Sequence, residues 1–274
     1  MRILFDNPIL VRDFNMRFKR FKFLFTLTAY LIVLQIIIIA NWPHSSSFYR
    51  VSRAGMEILL IMSMFQLALG MFITSSYAAS SVTSEKEGKT IENLYMSTTS
   101  DWEIIFGKLN AANFHMIAIL IATLPLACCL FALGGITMGL IFKSYFLIIV
   151  SAYTYSSAGI FWSNVFKTSR NAIGMTVLSG FVICLNILIV LFLISIVNHS
   201  SFRHWNDFAE FSLCLNPFYA MASLLDVRHS GSFKSVFPGM TPWETCILSY
   251  SFLTTILLIA SRRVLSYKRS NFKP

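Results

Sequence analysis

This sequence predicts an all-α integral membrane fold with six transmembrane helices, and three observations carry that expectation. Of its 274 residues, 56% are hydrophobic and 12% charged, whereas soluble domains carry about 25% charged residues. Apolar runs long enough to cross a bilayer recur along the chain. The basic residues cluster at the termini and between those runs, where membrane flanks place them. Mean hydropathy is +0.67, and the 26 Phe suit a lipid-facing surface. The net charge of +10 does not form a separate basic domain, so no nucleic-acid partner is expected.

A hydrocarbon core of about 30 Å requires about 20 helical residues. The six predicted spans run Phe23–Asn41, Met56–Ala79, Ala111–Leu133, Leu140–Phe161, Ala172–Val197 and Thr245–Ala260. The first is too long for a signal-peptide core and lacks a small-residue cleavage site, so it reads as a retained anchor. Pro125 predicts a kink in the third span. The chain therefore divides into an interfacial segment, 1–22, and a six-span domain, 23–274. That domain includes a polar hairpin at 84–108 and an outer segment at 198–244.

An even number of spans puts both termini on one side. Residues Arg2, Arg12, Arg17, Lys19, Arg20, Lys22, Lys86, Lys89, Lys108, Lys167, Arg170, Arg262, Arg263, Lys268, Arg269 and Lys273 share that side. Only Arg50, Arg53, Lys143, Arg203, Arg228 and Lys234 lie on the other. The positive-inside rule then makes both termini cytoplasmic.

The opening stretch NPILVRDFNMRFKRFKF predicts an amphipathic helix. Asn7 suits the N-cap and Pro8 the first helical position. Leu10, Val11, Phe14, Phe18 and Phe21 share one face, with Arg12, Arg17, Lys19 and Arg20 on the other. Such a helix lies in the headgroup layer with its basic face toward anionic lipid.

The hairpin contains Gly88-Lys89-Thr90, the tail of a phosphate-binding loop. The first glycine of that loop would fall at residue 83, which is Thr, and the preceding residues finish a membrane helix rather than a strand. A nucleotide site is therefore not expected here. Instead, Ser84-x-x-Glu87 and Ser100-x-x-Glu103 both fit capping boxes. Ile91, Leu94 and Tyr95 share one helical face between them, and MSTTS interrupts the helix before Asp101 starts the next.

TSEKEGKTIENLYMSTTSDWEIIFGKL resembles the pattern of type-2 ATP-binding-cassette exporter permeases, roughly T-x-E-[KR]-E-x-G-T-[IL]-E-x-L followed by a segment ending in G-K. Thr83, Glu85, Lys86, Glu87, Gly88, Thr90, Ile91, Glu92, Leu94, Gly107 and Lys108 match, and Lys89 stands between Gly88 and Thr90. NPILVRDFNMRFK resembles the family's interfacial helix, and NPFYAMASLL (Asn216 to Leu225) the segment before its last span.

The resemblance implies a half-transporter without catalytic residues. A second permease subunit, identical or different, would pair with it, and each subunit would dock on a separate ATPase subunit, two copies in all. ATP and Mg would sit on that partner, and this chain would bind no cofactor. The hairpin would be the coupling helix that enters the ATPase. Glu85, Glu87 and Glu92 would meet basic residues there, with Ile91, Leu94 and Tyr95 supplying apolar contact and Gly88 and Thr90 belonging to the same coupling set. The setting implied is a plasma membrane of the bacterial cytoplasmic kind.

The outer segment mixes short apolar runs with His199, His204, Asp207, Glu210, Asp226 and His229. Runs of about 10 to 14 residues suggest re-entrant or interfacial helices. The histidine spacing does not suit zinc, and no metal site is expected. Cys128 and Cys129 read as small core residues, while Cys214 and Cys246 are candidates to pair on the outer side. Glu57, His115 and Glu244 lie close enough to an interface to reach water. Without a mid-membrane carboxylate relay, an ion-coupled carrier is disfavoured. A passage of Phe, Leu, Ile, Ser and Thr suits an amphipathic or lipid-linked cargo. The alternative is a scaffold or signalling subunit that uses a partner ATPase to control an extracellular protein, without transport. An intramembrane enzyme lacks the residues it would need.

Overall fold

Inside a bilayer no water satisfies backbone N–H and C=O groups, so a spanning segment must close its hydrogen bonds internally. The computed structural model describes residues 21–42, 48–96, 99–197, 213, 215–225 and 240–271, and all regular structure among them is helical. In chain order the helices are α1 (Phe21–Ala40), α2 (Phe48–Glu87), α3 (Ile91–Met96), α4 (Asp101–Ala132), α5 (Met138–Val165), α6 (Ser169–Val197), α7 (Pro217–Leu225) and α8 (Pro242–Ser270).

Among the described residues, four stretches are long and apolar enough to cross a membrane: Ala54–Glu87, Asp101–Phe131, Met138–Val165 and Pro242–Ser270. They contain the second, fourth and sixth predicted spans and all but the last two residues of the third. The first and fifth fall on α1 and α6, whose apolar stretches Leu24–Ala40 and Ser169–Leu185 are shorter. The interfacial helix, with Arg12, Phe14, Arg17 and Phe18, lies outside the described residues. So do the outer-segment histidines and Cys214.

Helix and apolar run do not end together. Residues 80–87 carry α2 about 12 Å beyond its predicted span, and residues 101–110 lengthen α4 by about 15 Å at the same end. This corrects one expectation from the sequence. Ser84 is not an N-cap but an interior residue of α2, its hydroxyl bonded to the Ser81 carbonyl at 3.5 Å. The second capping box is present: Glu103 N–H donates to Ser100 Oγ at 3.3 Å, and Ser100 N–H donates to the Glu103 carboxylate at 2.8 Å. Through Pro125, α4 continues to Ala132.

At the opposite end, Gly134 and Gly135 take positive φ of 84° and 79° to reverse the chain, a backbone region that only glycine enters cheaply. Thr137 then caps α5, accepting from Leu140 N–H at 3.3 Å. In NPFY, the Asn216 side chain accepts from Phe218 N–H at 2.9 Å and donates to the Cys184 carbonyl at 3.2 Å. That starts α7 at a proline suited to the first helical turn. With nine residues, α7 is too short to cross a bilayer, and it packs among α2, α5 and α8.

The centre of the bundle is α2, which packs most extensively on α5. Their approach is closest at Gly159, where an added Cβ would lie 2.8 Å from Ala78 Cβ and 2.8 Å from the Ser75 carbonyl. Small residues at such crossings replace the hydrophobic drive that lipid removes. Neutral hydrogen bonds supply the rest. Gln66 donates to Thr123 at 2.9 Å, and Thr123 lies 3.1 Å from the Tyr145 hydroxyl. Asn113 donates to Ser156 at 2.7 Å. Tyr155 and Tyr250 pair at 3.1 Å, as do Thr154 and Thr254 at 2.9 Å.

Two further sequence readings are corrected. Cys128 and Cys129 are exposed on α4 rather than core residues, because Ala127 and Leu130 take the inward positions of that turn. His115 does not reach water. It is buried beside the Tyr77 ring, with centroids 5.4 Å apart.

Gly159→Ala is expected to lower stability by about 1–3 kcal/mol, because the atoms it meets include α2 backbone that cannot rotate away. Thermal unfolding of the detergent-solubilised protein measures the loss. An unchanged midpoint would contradict the close α2–α5 approach.

Candidate functional site

The polar hairpin assembles on the last turn of α2. Successive residues of an α-helix point about 100° apart, so Glu85, Lys86 and Glu87 address three different helices. Glu85 turns to α4, where its carboxylate lies 3.0 Å from Lys108 Nζ. Lys108 is only 1% exposed and donates a second bond to the Ser81 carbonyl at 2.8 Å.

Lys86 turns to the C-terminus of α5. Its ammonium donates to the carbonyls of Asn164 at 2.9 Å, Phe166 at 2.7 Å and Ser163. These carbonyls belong to the last turn and cap of the helix, which lack intrahelical donors and carry the negative end of its dipole. Lys268 from α8 joins at the same place, donating to Asn164 and, at 3.3 Å, to Val165.

Glu87 turns to the N-terminus of α6. It accepts from the Ser169 backbone N–H at 2.7 Å and from the Ser169 hydroxyl at 2.9 Å. A carboxylate on an N-terminal N–H is the favourable polarity for a helix dipole.

Beyond this trio the chain reverses. Lys89 N–H bonds the Lys86 carbonyl at 3.3 Å, and Thr90 N–H bonds the Glu85 carbonyl at 2.9 Å. Lys89 itself has φ 54°. This is a Schellman helix end with lysine in the left-handed position that glycine usually fills. Gly88-Lys89-Thr90 is thus a helix terminator.

The other end of the hairpin is tied as well. Arg269 of α8 donates to Asp101 at 2.9 Å and to the Thr99 carbonyl at 3.0 Å. Arg262 lies over the Trp102 ring, 5.1 Å from its centroid. A small apolar cluster of Ala78, Ile104, Ile105, Leu109, Ala112, Ile160, Leu258 and Leu265 fills the space above, and Ile91 packs against it. Glu92 and Met96 are exposed, Met96 by 69%. The side chains of Leu94 and Tyr95 lie outside the described residues.

Of the residues the sequence marked for a partner, Glu85, Glu87 and Ile91 are therefore engaged within the chain, and Gly88 and Thr90 form the helix end. Glu92 faces outward. Sequence reasoning matched Lys86 and Lys108 to a pattern without finding what they do, and it missed Ser169, Asp101, Lys268 and Arg269 as participants. Arg269 and Asp101 are 168 residues apart, so no local pattern links them. The nine basic residues Lys86, Lys89, Lys108, Lys167, Arg170, Arg262, Arg263, Lys268 and Arg269 occupy the cluster formed by the ends of α2, α4, α5, α6 and α8.

A profile described as ABC-2 family transporter protein matches residues 13–271. The chain belongs to the ABC-2 transporter family. No curated protein matches it. Family membership and the long apolar helices make it an integral membrane permease subunit of an ABC transporter in general, not itself catalytic. The family works with an ABC ATPase.

In this ABC-2 permease, Lys108→Met alone removes the buried cation that faces the Glu85 carboxylate and is expected to cost about 3–5 kcal/mol. Adding Glu85→Leu should recover most of that loss, because replacing both partners of a buried pair is often neutral. Thermal unfolding of the three variants decides this, and a double variant no better than the single one would contradict the pairing. Lys89→Gly should raise stability by about 1 kcal/mol in the same assay, since it relieves a left-handed conformation that disfavours a Cβ.

Proposed function

We propose that this chain is the permease subunit of an ATP-driven exporter, and that α3 with its flanking turns is the coupling element that docks on a separate ABC ATPase subunit. Two permease subunits, identical or different, pair and engage two ATPase copies that carry ATP and Mg. In this reading the hairpin and both termini are cytoplasmic, as the distribution of Lys and Arg favours. The interfacial helix would lie in the same headgroup layer.

One observation carries the proposal. A helix of six residues has almost no stability of its own, yet α3 is bracketed by charged ties to the bundle on both sides, Glu85–Lys108 before it and Asp101–Arg269 after it. Its exposed residues Glu92 and Met96, with Lys89 beside them, are left for another protein. A short protrusion tied to long helices at both feet suits the transfer of force from a partner. A free loop would absorb it.

The cargo proposed is amphipathic or lipid-linked. Support comes from an interior that offers hydroxyl, amide and aromatic groups, Gln66, Thr123, Tyr145, Tyr155 and Tyr250 among them, while the ion pairs Glu85–Lys108 and Asp101–Arg269 lie at the α3 end.

Tagged protein purified from its own cells should bring down an ABC ATPase. Glu92→Arg with Met96→Asp is expected to reduce that recovery about tenfold or more, a loss of about 1.4 kcal/mol, while leaving the unfolding midpoint unchanged. Capture of the ATPase at the wild-type level by this variant would refute docking through α3.

A further inference from the structure

Between α5 and α6 lies a short turn, residues 166–168, where the C-terminus of one helix and the N-terminus of the next stand side by side. The two ends have opposite polarity: α5 presents carbonyls and α6 presents N–H groups. Two adjacent residues of α2 meet them with matching charge. Lys86 holds Asn164 and Phe166, and Glu87 holds Ser169 twice. Thr83 Oγ1, one turn earlier on α2, lies 2.9 Å from the Ser169 hydroxyl oxygen. Ser163 of α5 accepts from the N–H groups of Val82 and Thr83 at 3.0 and 3.1 Å.

These bonds sit on the turn that leads directly into α3. We infer that Lys86 and Glu87 are positioning residues for transport. They grip the α5–α6 turn so that displacement of α3 passes straight to α5 and α6, rather than only along the covalently connected α2 and α4.

The physical ground is stiffness and number. Four contacts join an ionised side chain to backbone at a helix end, the stronger class of hydrogen bond, and a fifth joins Glu87 to the Ser169 hydroxyl, all on the helix ends that flank one turn. The tie acts on backbone, so it moves helix axes rather than single side chains. Lys268 brings α8 to the same carbonyls, so the end of α5 is where three helices are bound together. A set of contacts serving only to hold the hairpin in place would be complete with Glu85–Lys108 and Asp101–Arg269, because those already secure both of its feet.

This inference rests on the coupling role proposed for α3, and the test separates the two. The complex of this chain with its co-purified ATPase, in lipid nanodiscs, is followed by amide hydrogen exchange with and without ATP and vanadate. Two regions are compared: the hairpin, 88–100, and the α5–α6 turn, 166–176. In the wild-type complex both should change on nucleotide addition.

Lys86→Met with Glu87→Gln should still capture the ATPase and keep the response at 88–100, but lose it at 166–176. Lys86→Arg, which retains a cation and several donors, should keep the response at the turn. A merely structural role would not separate the two regions. The inference is overturned if the turn responds in the double variant as in the wild type, or if it fails to respond in the wild type while the hairpin does. If the wild-type chain captures no ATPase, the coupling role itself falls and this inference falls with it.

Discussion

A buried ammonium cannot remain unpaired, and Lys108 is nearly inaccessible to solvent. Its ion pair with Glu85 is the constraint on which the α3 end of the protein depends. It fixes the last turn of α2 against the first turns of α4, at a level where both helices have run past their apolar stretches. Once that contact is made, the helical repeat leaves no choice about the next two residues. Lys86 must look toward one neighbour and Glu87 toward another. The hairpin is therefore an extension of the bundle rather than an appendage.

The electrostatics at this end follow one pattern. Cations lie on carbonyls where α5 finishes, and a carboxylate lies on N–H groups where α6 begins. Each satisfies groups that a helix terminus otherwise leaves open. Arg269 applies the same logic to the stretch before α4, taking both a carboxylate and a carbonyl. The high positive charge of the chain thus has two physical roles at this end. Lys108 and Arg269 pair with carboxylates, and Lys86 and Lys268 are consumed as helix caps.

Farther into the bundle the chemistry changes. Contacts there are made by small residues, amides and hydroxyls. Gly159 lets α5 lie against the backbone of α2, while Tyr155–Tyr250 and Thr154–Thr254 fasten α5 to α8. Neutral groups can be buried in hydrocarbon at modest cost when they find one another. Among the described residues, the ion pairs Glu85–Lys108 and Asp101–Arg269 lie at the α3 end, and the bonds deeper in the bundle are between neutral groups.

What the sequence determined by itself was whatever depends on composition and on near neighbours. The all-helical membrane class, the approximate placement of the long apolar helices, the capping box at Ser100 and the family pattern around the hairpin were legible because each is written within about 20 consecutive residues. Three matters were not legible. The ends of α2 and α4 overran their apolar stretches, since helix continuation depends on backbone bonds and tertiary ties rather than on hydropathy. Cys128, Cys129 and His115 changed sides because an apolar run does not state which of its faces meets lipid. Above all, the tertiary structure decided that Glu85 and Glu87 find partners within the chain, Lys108 and Ser169. A carboxylate with a distant partner reads locally like one waiting for another protein, and only the folding together of α4, α5 and α6 brings Lys108 and Ser169 within reach.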